Sequence, residues 1–343
     1  MLGRQWETRL RIWKEHLETC YLRKAFSVET EYCTTFRQIG LENARQARYQ
    51  RCEVGTRWGE KWEYGWFRTR ITVPESLAGK RLCLFLGAAP ELLVYKNGEE
   101  AGSIDKKHSL ILLTAKAAAR ECFEIYAEGY AGHGIRREDA GPFAVDEITI
   151  PEVTEKQVRV EPSYVVVWDE ALFQVFMDYL CLYDLFGKLP ETSLRRMKII
   201  EGLKVFTFCA DFELPEQQLR ESILKAGELL KPLLACKNGS TAPEFTIFGQ
   251  SHIDLAWLWH EEETKRKAAR TYANQLALMD EYPEYRFLLC EPRLLDMLRL
   301  QHPALWTRVL AAFRRGQIDA DGAFYVECDT NLPCGESLIR QLI

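Results

Sequence analysis

Between about Cys52 and Val160 the apolar residues recur at every second position, and this period excludes a helical fold for the region. In Phe67-Arg68-Thr69-Arg70-Ile71-Thr72-Val73, apolar and polar residues alternate until Pro74 closes the run. Successive side chains on a strand point to opposite faces, so such a run buries one face and shows the other to water. Similar runs lie at 81–86 and 91–96, the second followed by Asn97-Gly98. Asn-Gly tolerates the positive φ of a tight hairpin turn, so this pair predicts a hairpin. Further strands are predicted at 109–113, 122–127, 147–150 and 157–167. Several short strands with regular turn signals indicate a β-sandwich of jelly-roll type over residues 51–168.

The flanking regions have a different period. Residues 1–50 read as a helical lead-in, with Trp6, Leu10, Trp13 and Leu17 at helical spacing. Residues 169–240 read as a helical connector. Its first helix carries a stripe of Phe173, Phe176, Met177 and Leu180 and stops at Gly187 and Pro190; a second spans 191–210, and a third runs from Pro215 to about Ala235. Lys237-Asn238-Gly239-Ser240 is the best linker signal.

From residue 244 strands and helices alternate. Glu244–Gly249, with Phe245, Ile247 and Phe248, suits a buried parallel strand. A helix over 262–281 places Ala268, Tyr272, Leu276 and Met279 on its inner face, and Tyr285–Cys290 is a second strand. Pro303 opens a helix with Leu305, Val309 and Phe313 on one face and Gly316 as its cap, and Gln317–Val326 is a third strand. The predicted fold is therefore multidomain α and β: a jelly-roll-like sandwich, a helical connector, and over 244–343 the start of a parallel, β/α-barrel-like domain. Such sheets carry their chemistry at the carboxyl ends of the strands.

That is where Gly249-Gln250-Ser251-His252-Ile253-Asp254-Leu255-Ala256-Trp257-Leu258-Trp259 falls. His252 and Asp254 share a face, and an imidazole beside a carboxylate is half of a zinc site. An adjacent indole is a platform for a sugar ring. Glu291 follows the second strand, and Asp319, Asp321, Glu327 and Asp329 surround the end of the third. The remaining histidines, His16, His108, His133, His260 and His302, have no spacing that completes the site. In the sandwich, Trp58, Trp62, Trp66, Tyr95, Asn97, Asp105 and His108 could bind sugar from loops, but core and turn roles are the commoner use of such residues. No P-loop, nucleophile elbow or dinucleotide fingerprint is present.

A net charge of -5 gives no electrostatic case for nucleic acid or an anionic membrane, and no run is long and apolar enough for a membrane span. Eleven cysteines without CxxC spacing read as reduced thiols of a cytoplasmic protein. The first residues carry charges throughout and do not read as a signal peptide.

Three blocks, GQSHIDLAWLW at 249–259, ETKRKAARTYANQLALMDEYPEYRF at 263–287 and VECDTNLPCGESLIRQL at 326–342, resemble glycoside hydrolase family 38, the retaining α-mannosidases, in its cytosolic and bacterial branch. WFRTRITVP at 66–74 and LVYKNGEEAG at 93–102 look like that family's accessory sandwich. The resemblance implies that His252 and Asp254 bind Zn2+, that Trp257 packs against the sugar and that Glu327 and Asp329 help shape the substrate pocket. It implies an α-mannoside or oligosaccharide substrate and a covalent glycosyl-enzyme intermediate. It also implies that the nucleophile, which is a zinc ligand as well, the last His ligand and the acid/base lie beyond Ile343, so that this chain alone is expected to be inactive. A homo-oligomeric full-length enzyme is compatible with this reading. Two other readings stand beside it: a zinc-dependent carbohydrate deacetylase, and a non-catalytic carbohydrate-binding fragment.

Overall fold

The computed structural model of the chain describes residues 3–134, 155–257, 259–320, 324–328 and 331–342. It begins with α1 (Arg4–Cys20), β1 (Leu22–Val28), β2 (Thr30–Thr35), α2 (Leu41–Gln46), β3 (Gln50–Cys52), β4 (Arg57–Trp58) and β5 (Tyr64–Thr72). There follow β6 (Leu82–Phe85), β7 (Leu92–Lys96), β8 (Glu99–Ile104), β9 (Ile111–Thr114), β10 (Cys122–Tyr130), β11 (Val158–Arg159) and β12 (Ser163–Trp168). Four helices come next: α3 (Glu170–Lys188), α4 (Leu194–Cys209), α5 (Glu216–Glu228) and α6 (Lys231–Leu234). The chain continues with β13 (Gly249–Gln250), α7 (Glu261–Glu281), β14 (Phe287–Leu289), α8 (Pro292–Gln301), α9 (Pro303–Arg314), β15 (Ile318–Ala320) and α10 (Gly335–Arg340). Two compact units result, one from residues 1–25 and 166–245, the other from 26–165 and 246–343.

The first unit is helical. Leu10 and Leu17 of α1 pack with Leu172, Val175, Tyr179 and Leu182 of α3, Leu203 and Phe206 of α4, and Ile223 of α5. The buried stripe of α3 thus runs through Leu172, Val175, Phe176, Tyr179 and Leu182, while Met177, expected inside, is 41% exposed. The third expected helix is two, because Leu229 and Leu230 interrupt it before Pro232 enters the first turn of α6.

Asp169 caps α3, accepting from the backbone N–H of Ala171 and Leu172 and pairing with Arg220 at 2.5 Å. Burial would raise its carboxyl, but the Arg220 guanidinium and the two N–H groups hold it below the ordinary value. A lowered carboxyl contributes stability that is present above its unfolded pKa and lost as pH falls through the folded one. Asp169→Ala is therefore expected to cost about 1–2 kcal/mol at pH 7. The deficit should shrink towards pH 3 in urea melts; an equal deficit at both pH values would refute this account.

In the second unit, an antiparallel six-stranded sheet has the order β3-β2-β5-β10-β7-β8, and β6 pairs with β9 in a further sheet. The turn after β7 is as expected, with φ of 54° at Asn97 and 92° at Gly98, and Asn97 Oδ1 accepts the N–H of Glu124. The expected strand at 147–150 lies outside the described residues. Residues 22–35, expected in the helical lead-in, form β1 and β2 instead; Thr30-Glu31-Tyr32-Cys33-Thr34-Thr35 is rich in strand formers and pairs with both β3 and β5.

Period two along β10 puts Tyr126, Glu128 and Tyr130 on one face and Phe123, Ile125 and Ala127 on the other. The register sets Glu128 between Trp66 of β5 and Leu93 of β7. This face is covered: Trp66, Leu93, Tyr95 and Tyr126 share a core with Ala268, Ala269, Tyr272, Ala273 and Leu276 of α7. Helix α7 also meets the parallel sheet, where the Tyr272 and Phe287 rings stand edge to face at 5.9 Å.

The parallel sheet has the order β13-β14-β15, as the strand-helix alternation requires. Its first strand is shorter than expected. The ladder begins only at Gly249, and Phe245, Ile247 and Phe248 are exposed at 82%, 90% and 51%. An apolar run becomes a buried strand only where layers cover it; the core here starts C-terminal to the run, at Ile253, Phe287, Leu289 and Ile318. Between β14 and α9 the structure adds α8, led by Pro292 and burying Leu294, Met297 and Leu298.

Candidate metal centre

Three successive parallel strands each end in a candidate ligand: β13 leads into His252, β14 into Glu291, and the segment after β15 carries Glu327. One ligand atom from each of these three side chains lies within 4.8 Å of the other two. His252 Nδ1 is 2.7 Å from Glu327 Oε2, and its Nε2 is 3.3 Å from Asp254 Oδ1. Both residues lie in the loop just after β13 rather than on the strand expected to align them, and their side chains meet there. Glu291 is the buried member, 5% exposed, and its Oε2 has no hydrogen-bond partner.

The electrostatics follow from this packing. The hydrogen bond to Glu327, with the charges of Glu327 and Asp254, raises His252 above its ordinary value. Burial pushes Glu291 up to about 7; the charge of Glu327, a hydrogen bond shared with the Glu327 carboxyl and the charge of Asp254 add to the effect, while His252 opposes it. Imidazole nitrogen and carboxylate oxygen are the donors a zinc ion takes. The residues present fit such an ion.

Neighbouring elements hold the ligands in place. Thr264, in the first turn of α7, donates its hydroxyl to the Leu255 carbonyl and accepts from Trp259 Nε1 at 2.9 Å, which fixes the backbone beside Asp254. The Glu327 segment is tied by Arg293 N–H to the Tyr325 carbonyl (3.1 Å), by Tyr325 OH to Asp296 (2.7 Å), and by Val326 N–H to Gln341 Oε1 (2.9 Å). Trp257 is half-exposed and stands edge to face with Trp259 at 5.6 Å. Asp319 is exposed on β15, and Asp321 and Asp329 lie outside the described residues.

A cleft of about 430 Å³ runs from His252 along Trp259 and Lys267 to Asp105 and His108 of the sandwich. Asp105 and His108 pair at 2.9 Å. The other sandwich candidates have structural roles. Trp58, Trp66 and Tyr95 are buried, Asn97 makes its turn, and Trp62 packs its ring 5.0 Å from that of His260. His302 is bound to Glu100, and His16 stacks on Phe212. All eleven cysteines are free, and among the described residues no helix is long and apolar enough to cross a membrane.

Comparison with known proteins agrees with this layout. Residues 243–343 match the glycosyl hydrolases family 38 N-terminal domain, and residues 24–151 match the alpha-mannosidase jelly roll domain. Alpha-mannosidase G of Dictyostelium discoideum is 27% identical over 94% of this chain, and human alpha-mannosidase 2C1 is 26% identical over 89%. The alpha-mannosidase of Saccharomyces cerevisiae is 25% identical over 88%. The chain spans 29% of the length of the first two of these relatives and 28% of the third. A solved β-glucuronidase of Ruminococcus gnavus overlaps 44% of this chain and 29% of its own at 11% identity, with a TM-score of 0.32, too slight a likeness to inform the fold. The jelly roll and the parallel strands that lead into His252 and Asp254 are thus the two regions in which the chain is similar to the alpha-mannosidases, and residues 243–343 match the family 38 N-terminal domain.

Proposed function

We propose that the protein to which this chain belongs is a cytoplasmic, zinc-dependent retaining α-mannosidase that removes terminal α-mannose from mannosides and oligosaccharides. The observation that carries this reading is the His252-Asp254 pair at the carboxyl end of β13, inside the family 38 match. His252 and Asp254 would hold the ion, which when bound supplies a Lewis acid for sugar hydroxyls. Trp257, half-exposed between the cleft-lining residues Ile253 and Trp259, offers its indole to the sugar ring. The parallel strands are read as the opening of a β/α-barrel-like domain, and Asp329 as a substrate-pocket residue.

In the whole protein, His252→Ala and Asp254→Asn should each lower kcat/KM on an aryl α-mannoside by at least about 100-fold. Trp257→Ala should act mainly by raising KM. Acetate release from N-acetylated sugars without mannoside cleavage would replace this reading with the deacetylase. The same reading assigns neither nucleophile nor acid/base to residues 1–343. The 343-residue polypeptide alone should therefore give no turnover, and robust turnover would defeat that part.

A further inference from the structure

We propose that a pocket beside the His252 cleft, built mostly from sandwich residues, is a second sugar subsite, which takes a neutral sugar on the leaving-group side of the scissile bond. The subsite presupposes the α-mannosidase reading above and extends it from the terminal mannose to the unit from which it is cut. The pocket has a volume of about 230 Å³ and is lined by Pro90, Glu91, Tyr130, His133, Trp259 and Lys267. Pockets for drug-sized ligands run to about 300–1,000 Å³, so this one suits a single ring. Glu91, Trp259 and Lys267 also line the cleft that reaches His252, so the two cavities adjoin. When a terminal residue is removed, only the leaving group extends beyond the first subsite.

The walls carry the chemistry of a sugar site. Trp259 and His133 supply flat rings, while Glu91 supplies an acceptor and Lys267 a donor for hydroxyls. Burial would raise the Glu91 carboxyl, but the charges of Arg270 and Lys267 hold it below the ordinary value. It is thus an ionised acceptor, and those cations, at 2.9 and 3.1 Å, already balance it, so the ligand need carry no charge. The walls are also held in place before a ligand arrives. Trp259 Nε1 donates to Thr264, and the Lys267 ammonium lies 4.8 Å from the centre of the Trp259 ring. Trp62 adopts φ 69°, a left-handed conformation that strains a bulky residue. Its N–H donates to the Gly132 carbonyl at 3.0 Å, and its ring packs 6.1 Å from that of His133 and 5.0 Å from that of His260. Backbone strain of this kind clusters at ligand clamps. Here it ties the His133 loop to the residue after Trp259.

The test compares the whole protein with its His133→Ala and Glu91→Gln variants on methyl α-mannoside and on α-linked mannobioses. A methyl leaving group is too small to fill the pocket, whereas a second mannose fills it. Each variant should lower the ratio of kcat/KM for mannobiose to that for methyl α-mannoside roughly 10-fold or more. Circular dichroism checks folding; if Glu91→Gln, part of an ion network, does not fold, His133→Ala carries the test. An unchanged ratio in the folded variants, or an equal loss on both substrates, overturns the subsite and leaves the proposed function standing. Cleavage of neither substrate by the unaltered protein overturns the proposed function, and the subsite with it.

Discussion

Arg266→Met is expected to destabilise the second unit by about 3–5 kcal/mol, because it strands a buried carboxylate. Arg266 Nε and Nη2 donate to Glu128 Oε1 at 2.9 and 2.7 Å, and both side chains are at most 7% exposed. The pair belongs to a wider network. Arg270 pairs with Glu263 and with Glu91, Lys267 with Glu91, and the Tyr64 hydroxyl donates to Glu263. Three carboxylates (Glu91, Glu128, Glu263) thus face three cations (Arg266, Lys267, Arg270), and losing Arg266 breaks that balance. Burial already pushes the Glu128 carboxyl up, with Arg266 and Arg270 opposing. The Arg266 guanidinium also lies over the Tyr64 ring, 4.4 Å from its centroid, so methionine keeps the packing while removing the charge. Removing both partners should behave differently: Glu128→Leu with Arg266→Met leaves no orphaned charge and should recover most of the loss. Urea melts of the two single variants and the double variant measure the coupling. A loss below about 1 kcal/mol for Arg266→Met would show that water reaches Glu128.

This network marks where the sequence ceases to be legible. Ala268, Tyr272, Leu276 and Met279 announce one buried face of α7, and they are buried. Glu263, Arg266 and Arg270 recur at the same helical spacing and look like a solvated face. They are buried as well, and only their partners on β7's flank and β10 explain why; Glu128 is 138 residues away from Arg266. Periodicity reports which residues share a face, but it does not report what covers that face. The opposite error occurs at Phe245, Ile247 and Phe248, whose apolar character promises a layer above them and whose side chains stand exposed. Local signals fare better. The Asn97-Gly98 turn, the Gly316 cap at φ 69° and the start of α9 at Pro303 depend on a few adjacent residues and are found where expected.

At the site, His252 and Asp254 are legible because they stand two residues apart just after a strand, although the strand itself ends at Gln250 and the pair meets in the loop. Glu291 and Glu327 appear in the sequence only as acids near strand ends, alongside Asp319, which the structure leaves exposed. Glu291 is set apart by its burial, and Glu327, itself exposed, by its contact with His252. A local signal for Glu291 does exist: an acid between a strand and a Pro-led helix stands at a strand's carboxyl end and a helix's amino end at once. Helix α8 itself could be read from Pro292 and the spacing of Leu294, Met297 and Leu298.

Zinc is expected to stabilise the second unit strongly, and the variants should separate the metal-free from the loaded state. A ligand that binds only the folded state adds about 4 kcal/mol at a thousandfold excess over its Kd. Without the ion, Asp254, Glu291 and Glu327 crowd one imidazole, and the buried Glu291 oxygen lacks a donor. That arrangement opposes folding, so Glu291→Gln should raise the stability of the metal-free chain by roughly 1–3 kcal/mol. His252→Ala should remove the zinc-induced gain. Amide exchange of β14 and α7, followed with zinc and with chelator, reads both effects in the elements that carry the ligands. A structural carboxylate predicts destabilisation in both, and that outcome would remove Glu291 from the metal centre.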